Sequence, residues 1–186
     1  MNILFIGDIV GASGRKIVLN HLDDLKQAYS IDFTIVNGEN SAHGKGITSK
    51  IYKQFVHAGI DVVTLGNHAF SKSEIIPYLA DCDALLRPIN MLPLKGGQGF
   101  TIVPVNNSRV CVVNLYGEVF MDHVGGSWYE AMNDVLQKTE ADIYIVDFHG
   151  ETTSEKQTFF YLFKDRVSAI IGTHTHEGCG RLCLYQ

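Results

Sequence analysis

The chain has 186 residues, with 15 lysines and arginines against 20 aspartates and glutamates and a formal net charge of −5. That balance argues against a broad basic surface for duplex DNA, and 46% hydrophobic residues suit a single domain, 1–186, with a proper core. No apolar run reaches the length of a membrane span, and the opening "MNILFIGDIV" is too short and lacks the basic flank of a secretory signal.

In chain order, "NILFIGD" (2–8) is a short apolar run ending in glycine and a carboxylate, and reads as a strand. Residues 14–29 follow as a helix, with Ile17, Leu22, Leu25 and Tyr29 at helix-compatible intervals. "DFTIVNGEN" (32–40) is a second strand; 48–59 is a helix that opens on a capping residue and closes on glycine. "DVVTLGNH" (61–68) is a third strand. Residues 97–117 read as two strands joined by the turn "NNS", an antiparallel hairpin that suggests a second sheet or an antiparallel extension. A helix at 127–140, a strand at 142–150, a helix at 153–166 capped by Thr153 or Ser154, and a strand at 167–176 complete the pattern. Apolar runs of this length fit strands buried on both faces, and the alternation predicts an α/β fold with right-handed crossovers.

Of four cysteines, Cys82 and Cys111 lie in or beside apolar segments and read as small core residues of a reduced, cytoplasmic protein. Cys179 and Cys183 make a C-x3-C spacing beside His174 and His176, but no second cysteine pair supports a zinc site.

The chemistry gathers where strands end, the edge at which open α/β sheets bind ligands. Five strand ends supply Asp8, Glu39, Asn40, Asn67, His68, His149, His174 and His176. One such residue is ordinarily a turn cap or a packed histidine; eight in phase on one edge are not explained that way. Carboxylate, amide and imidazole without thiolate suit iron, manganese or zinc, and the number exceeds the needs of one ion and matches two. Two metals about 3.5–4 Å apart clamp a phosphate for in-line attack. In "THTH" the imidazoles at 174 and 176 both face such a site as the strand unwinds, and the glycines of "GEN" and "GNH" let the backbone turn tightly beside it.

The motifs "GD" (7–8), "NGEN" (37–40), "GNH" (66–68), "FHGE" (148–151) and "GTHTH" (172–176) resemble the calcineurin-like metallophosphoesterases. The longer stretches "NGENSAHGKGIT" (37–48) and "DVVTLGNHAFSKSEI" (61–75) resemble the YmdB-type branch, bacterial 2',3'-cyclic-nucleotide 2'-phosphodiesterases. Two departures from the wider superfamily favour that branch: Val10 stands where a histidine is usual, and Glu39 where the bridging ligand is usually aspartate. The resemblance implies a two-sheet sandwich with flanking helices and two metal ions, iron foremost and manganese permitted. It implies one metal on Asp8, Glu39, Asn40 and His176, and a second on Glu39, Asn67, His149 and His174. A metal-bridged hydroxide would attack a 2',3'-cyclic nucleotide, leaving a 3'-nucleotide, with His68 donating a proton to the leaving oxygen. Adjacent carboxylate or phosphate charge is expected to favour protonated His68.

His43 and Lys45, on the loop after Glu39, are candidate substrate contacts. His21, His57 and His123 read as surface or packing residues. Glu151 either orients His149 or starts the next helix, and Trp128 with Phe159, Phe160, Tyr161 and Phe163 reads as core or interface. After His176 the tail "EGCGRLCLYQ" (177–186) departs from the resemblance, which implies missing C-terminal strands, an open sheet edge and a partner copy that covers it, hence a homo-oligomer. Rival readings are a phosphomonoesterase or RNA nuclease, and a catalytically impaired regulatory protein that binds nucleotide and metal.

Overall fold

A computed structural model describes residues 1–92, 96–122 and 125–176. β1 (Ile3–Ile6), α1 (Gly11–Ala28), β2 (Phe33–Asn37), α2 (Ser49–His57), β3 (Val62–Thr64), α3 (Ile75–Leu79) and β4 (Leu85–Leu86) form the first half. β5 (Phe100–Val105), β6 (Ser108–Tyr116), α4 (Trp128–Lys138), β7 (Ile143–His149), α5 (Thr153–Phe163) and β8 (Ala169–Thr173) form the second. The first sheet runs β1-β2-β3-β4, all parallel. In the second, β5-β6-β7-β8, the expected hairpin pairs β5 antiparallel to β6, and β7 and β8 continue parallel. The hairpin therefore opens a second sheet, and the architecture is the two-sheet sandwich with helices outside.

The apolar runs conceal a period of two, because successive strand side chains face opposite sides. Phe33, Ile35 and Val62 of the first sheet meet Val110, Val112 and Ile145 of the second in a layer between the sheets. Val36 and Val63 face outward against α1–α3, where Leu22, Phe55, Ile75 and Leu79 pack. Cys111, Val113, Leu115, Val146 and Phe148 face α4 and α5. β2 and β3 are buried throughout, as expected, but β1 and β8, at sheet ends among the described residues, are half-exposed along most of their length.

The helices differ from expectation in detail. α1 starts at Gly11, and it buries Leu22 with Val18 and Leu19 beside it, whereas Ile17 and Tyr29 are 63% and 66% exposed. Thr48 and Ser127 cap α2 and α4 with their side chains. The cap of α5 is Thr152, not Thr153 or Ser154, and Glu155 sits three residues later. α3 and β4 were not foreseen. Trp128 packs edge-on against Phe148 and Phe159 at centroid distances of 5.9 and 5.6 Å, so it belongs to the core, as do Phe159 and Phe163; Tyr161 is exposed. Cys111 is a buried free thiol, its pKa pushed up to about 12 by that burial, and Cys82 is a half-buried one. Among the described residues no helix is long and apolar enough to cross a membrane. His123 and the tail with Cys179 and Cys183 lie outside the described residues.

Candidate metal centre

Along the layer between the sheets, the inward positions turn from apolar to polar at one level. Asn37 of β2, Thr64 of β3, Asn114 of β6, Asp147 and His149 of β7 and Thr173 of β8 continue the same parity as the apolar residues before them, and all are buried. Buried polar groups need partners, and these find one another. The Asp147 carboxylate accepts from Asn37 Nδ2 at 2.9 Å and the Thr64 hydroxyl on one oxygen, and from Thr173 Oγ1 at 2.6 Å on the other. Burial pushes the Asp147 carboxyl up to about 6, against the charge of His149 and these hydrogen bonds, which pull it down.

That network orients His149. With its proton given to Asp147, the Thr173 hydroxyl accepts from His149 Nδ1 at 2.9 Å, which turns Nε2 the other way. Nε2 faces Glu39 Oε1 at 3.2 Å, Asn67 Oδ1 at 3.1 Å and His174 Nδ1 at 3.1 Å. Ligand atoms of Glu39, His149 and His174 all lie within 4.8 Å of one another. So many acceptors converge without strong repulsion only around a cation or a shared proton. Asn67 shows the choice directly. With its oxygen inward, its Nδ2 donates to Asp122 Oδ2 at 3.4 Å and the oxygen is a ligand; turned over, it donates to Glu39 at 3.1 and 3.3 Å.

A second group of donors adjoins the first. Asn40 Nδ2 lies 3.0 Å from Glu39 Oε1 and 3.3 Å from His176 Nε2. Asp8 Oδ2 accepts the backbone N–H of His174 at 2.9 Å, while the buried Oδ1 has no hydrogen-bond partner among the described residues. Glu39 touches both groups. His174 and His176 have φ of +93° and +56°, the left-handed turn that brings both imidazoles round after β8 ends. At Gly66 a Cβ would collide with Glu39 and His149, so only glycine lets the β3 end approach this closely. The donor set is nitrogen and oxygen, with an orphaned carboxylate oxygen, and it fits hard or borderline divalent ions.

The charges are coupled. Burial opposes ionisation of Glu39, but the hydrogen bond and charge of His149 and the His68 N–H, 3.2 Å away, outweigh it and hold the carboxyl below its usual range. Burial likewise opposes a charged His149, but Glu39, Asp147 and Asp8 raise it. His174 is lowered by burial and by His149. At His68 burial, aided by Lys45 and His149, lowers the pKa, while Glu39 and Asp122 act in the expected direction and raise it.

The structure thus gathers Asp8, Glu39, Asn40, Asn67, His149, His174 and His176 at one edge, with His68 beside them. His43 and Lys45 are exposed on the neighbouring loop, and His21 and His57 lie exposed on helices. Glu151 resolves to neither expected role: its Oε2 meets His174 Nε2 at 3.0 Å, and it precedes α5. The orienting residues Asp147, Thr173, Asn37 and Thr64 were missed, although each shares the inward parity of its strand, and so was Asp122.

The sequence matches the family described as YmdB-like protein over residues 4–179, slightly beyond the expected point of departure. The chain belongs to the YmdB-like family. It is 42% identical over 177 residues to a 2',3'-cyclic-nucleotide 2'-phosphodiesterase of Bacillus subtilis, covering 95% of this chain and 67% of that protein. A crystal structure of a hypothetical protein from Thermus thermophilus superposes with a TM-score of 0.88 at 38% identity, over 95% of this chain and 68% of that one. A structure described as a novel phosphatase from Mycoplasma pneumoniae gives 0.87 at 37% identity, over 94% and 64%. The chain therefore spans about two thirds of the length of these proteins.

Proposed function

We propose that this chain is a dinuclear metal-dependent phosphodiesterase that opens 2',3'-cyclic nucleotides at the 2' ester and leaves 3'-nucleotides. The observation that carries the reading is the convergence of Glu39, His149, His174 and the Asn67 oxygen on one buried point. The name of the Bacillus subtilis relative supports the choice of substrate. Asp8, Glu39, Asn40 and His176 hold one ion, and Glu39, Asn67, His149 and His174 the other, with iron or manganese as the metal. When bound, such ions supply Lewis acidity toward phosphoryl oxygens and bring the pKa of water toward neutrality.

The chain's own residues do the rest. Thr173 and Asp147 fix the His149 tautomer, and Asp122 turns the Asn67 oxygen inward. An imidazole nitrogen of His68 gives a proton to the leaving 2' oxygen. Against the burial that lowers His68, Glu39, Asp122 and the bound phosphate's negative charge favour its protonated form. His43 and Lys45 border the substrate's path. In the same reading the protein works in the cytoplasm with its thiols reduced, and it pairs with a second copy. A clean monomer at micromolar concentration would contradict that last point.

The test is elemental analysis of the purified chain together with hydrolysis of 2',3'-cyclic AMP. Two ions of iron or manganese per chain, and turnover abolished by chelation, are the expected result. Absence of metal after reconstitution would overturn the reading. The Mycoplasma pneumoniae structure's description as a phosphatase favours one alternative, a phosphomonoesterase. Product analysis separates them: that enzyme releases inorganic phosphate from 3'-AMP, whereas the diesterase stops there.

A further inference from the structure

The loop after β6 is held in an unusual way. Gly117 N–H donates to the carbonyl of His149 at 2.9 Å. The next two backbone N–H groups, of Glu118 and Val119, donate to the two oxygens of Glu155 at 2.8 and 3.3 Å, and that carboxylate also accepts from Trp128 Nε1 at 2.8 Å. On the far side, Asp122 accepts from the Asn67 amide when the Asn67 oxygen faces the metal centre. The segment is thus tied at both ends to residues of the metal centre. Between the ties, Phe120 is 84% exposed, with φ of +60°.

Both properties run against the residue's physical preferences. A phenyl ring gains by leaving water, and a non-glycine residue pays in steric strain to adopt the left-handed region. A backbone pinned through three successive N–H groups just before it, lifting an aromatic ring into solvent, resembles a residue waiting for a flat partner. The other aromatics near the centre are committed: Tyr116 is buried against the His149 ring, and Trp128 packs into the core. Among the described residues, Phe120 is the exposed aromatic whose loop touches the proposed metal ligands directly.

We propose that Phe120 is a nucleobase-stacking residue, so that this loop reads the base while the metal centre and His68 handle the cyclic phosphate. The inference rests on the proposed phosphodiesterase reading. Base–aromatic stacking tolerates any base, because every base has a π face, so Phe120 selects nucleotides over base-free phosphodiesters rather than one base over another.

The experiment compares kcat/KM for 2',3'-cyclic AMP with that for the base-free methyl riboside 2,3-cyclic phosphate. In Phe120→Ala and Phe120→Leu this ratio should fall roughly tenfold, and Phe120→Trp should retain it. The leucine variant keeps an apolar side chain without a ring, so it separates stacking from simple burial. An unchanged ratio overturns the proposal, as does an unchanged ratio accompanied by altered mass in light scattering, which would make Phe120 a subunit contact. If the wild-type chain hydrolyses neither compound, the functional reading fails. Calorimetry with adenosine 3'-monophosphate against ribose 3-phosphate then decides the ring separately: a preference for the nucleoside phosphate that is lost in Phe120→Leu upholds stacking, and no preference rejects it.

Discussion

The two halves of the candidate metal centre are built differently. Glu39, Asn67 and His149 stand at the ends of the central strands β2, β3 and β7 and are 1%, 5% and 0% exposed. Asp8, His174 and His176 follow β1 and β8, the strands that end each sheet; Asp8 and His174 are half-buried and His176 is exposed. The inner half is pre-organised by the sandwich itself, since the hydrogen bonds that aim His149 cross from β7 to β8 and from β7 to the first sheet. The outer half depends on two left-handed residues and on strands with one neighbour each among the described residues. Positions held by packing on both faces cost little further entropy to order around an ion; positions on an edge must be ordered when the ion arrives.

Glu39→Ala is the harshest way to break that contrast. Glu39 belongs to both halves, so both ions should be lost together and turnover should drop to background. Two tightly held ions in elemental analysis of this variant would mean that the halves do not share a ligand. His68→Ala should spare both halves: metal content stays at two per chain while kcat falls about 10²–10⁴-fold. A collapse of metal content instead would move His68 from proton donor to ligand. His176→Ala should remove the outer ion alone, leaving about one per chain, with turnover reduced roughly a hundredfold; loss of both ions would show that the inner half cannot stand alone. Thr173→Val, which keeps shape and deletes the hydroxyl, should weaken the inner ion by about 10–100-fold in calorimetric titration. Unchanged affinity would remove the Thr173–Asp147 relay from the account.

The same contrast explains what could be read in the sequence. The strands were legible because each joins an apolar run to an abrupt polar end, and the candidate ligands were legible because they are those ends. The hairpin at β5–β6 was legible from "NNS". The two-residue β4 and five-residue α3, which contains Pro77, are too short to show any period. Ile17 misled because it stands five residues before Leu22, a spacing that turns it well away from the buried face of α1 and toward solvent. Thr173 and Asp147 carry no local signal for their role. Either could be an ordinary turn residue until β7 and β8 are paired and the first sheet is laid over them. Partnership across 26 residues, or 110 for Asp147 with Asn37, is a property of the fold and not of a motif.

The buried polar layer also bears on how the chain finds this fold at all. Apolar side chains between two sheets tolerate sliding, since one valine packs on another almost as well as on its neighbour. Asn37, Thr64, Asp147 and Thr173 do not. Displacing either sheet along its strands by one pleat would separate Asp147 from its two donors in the first sheet, Asn37 and Thr64, in a place water cannot reach. Each orphaned group would then cost about 1–3 kcal/mol. Against a net stability on the order of 5–15 kcal/mol, that penalty is enough to empty the misaligned states. The residues that aim a histidine in the finished protein therefore act earlier as a proofreading step, rejecting sandwiches in which the two halves have met out of line.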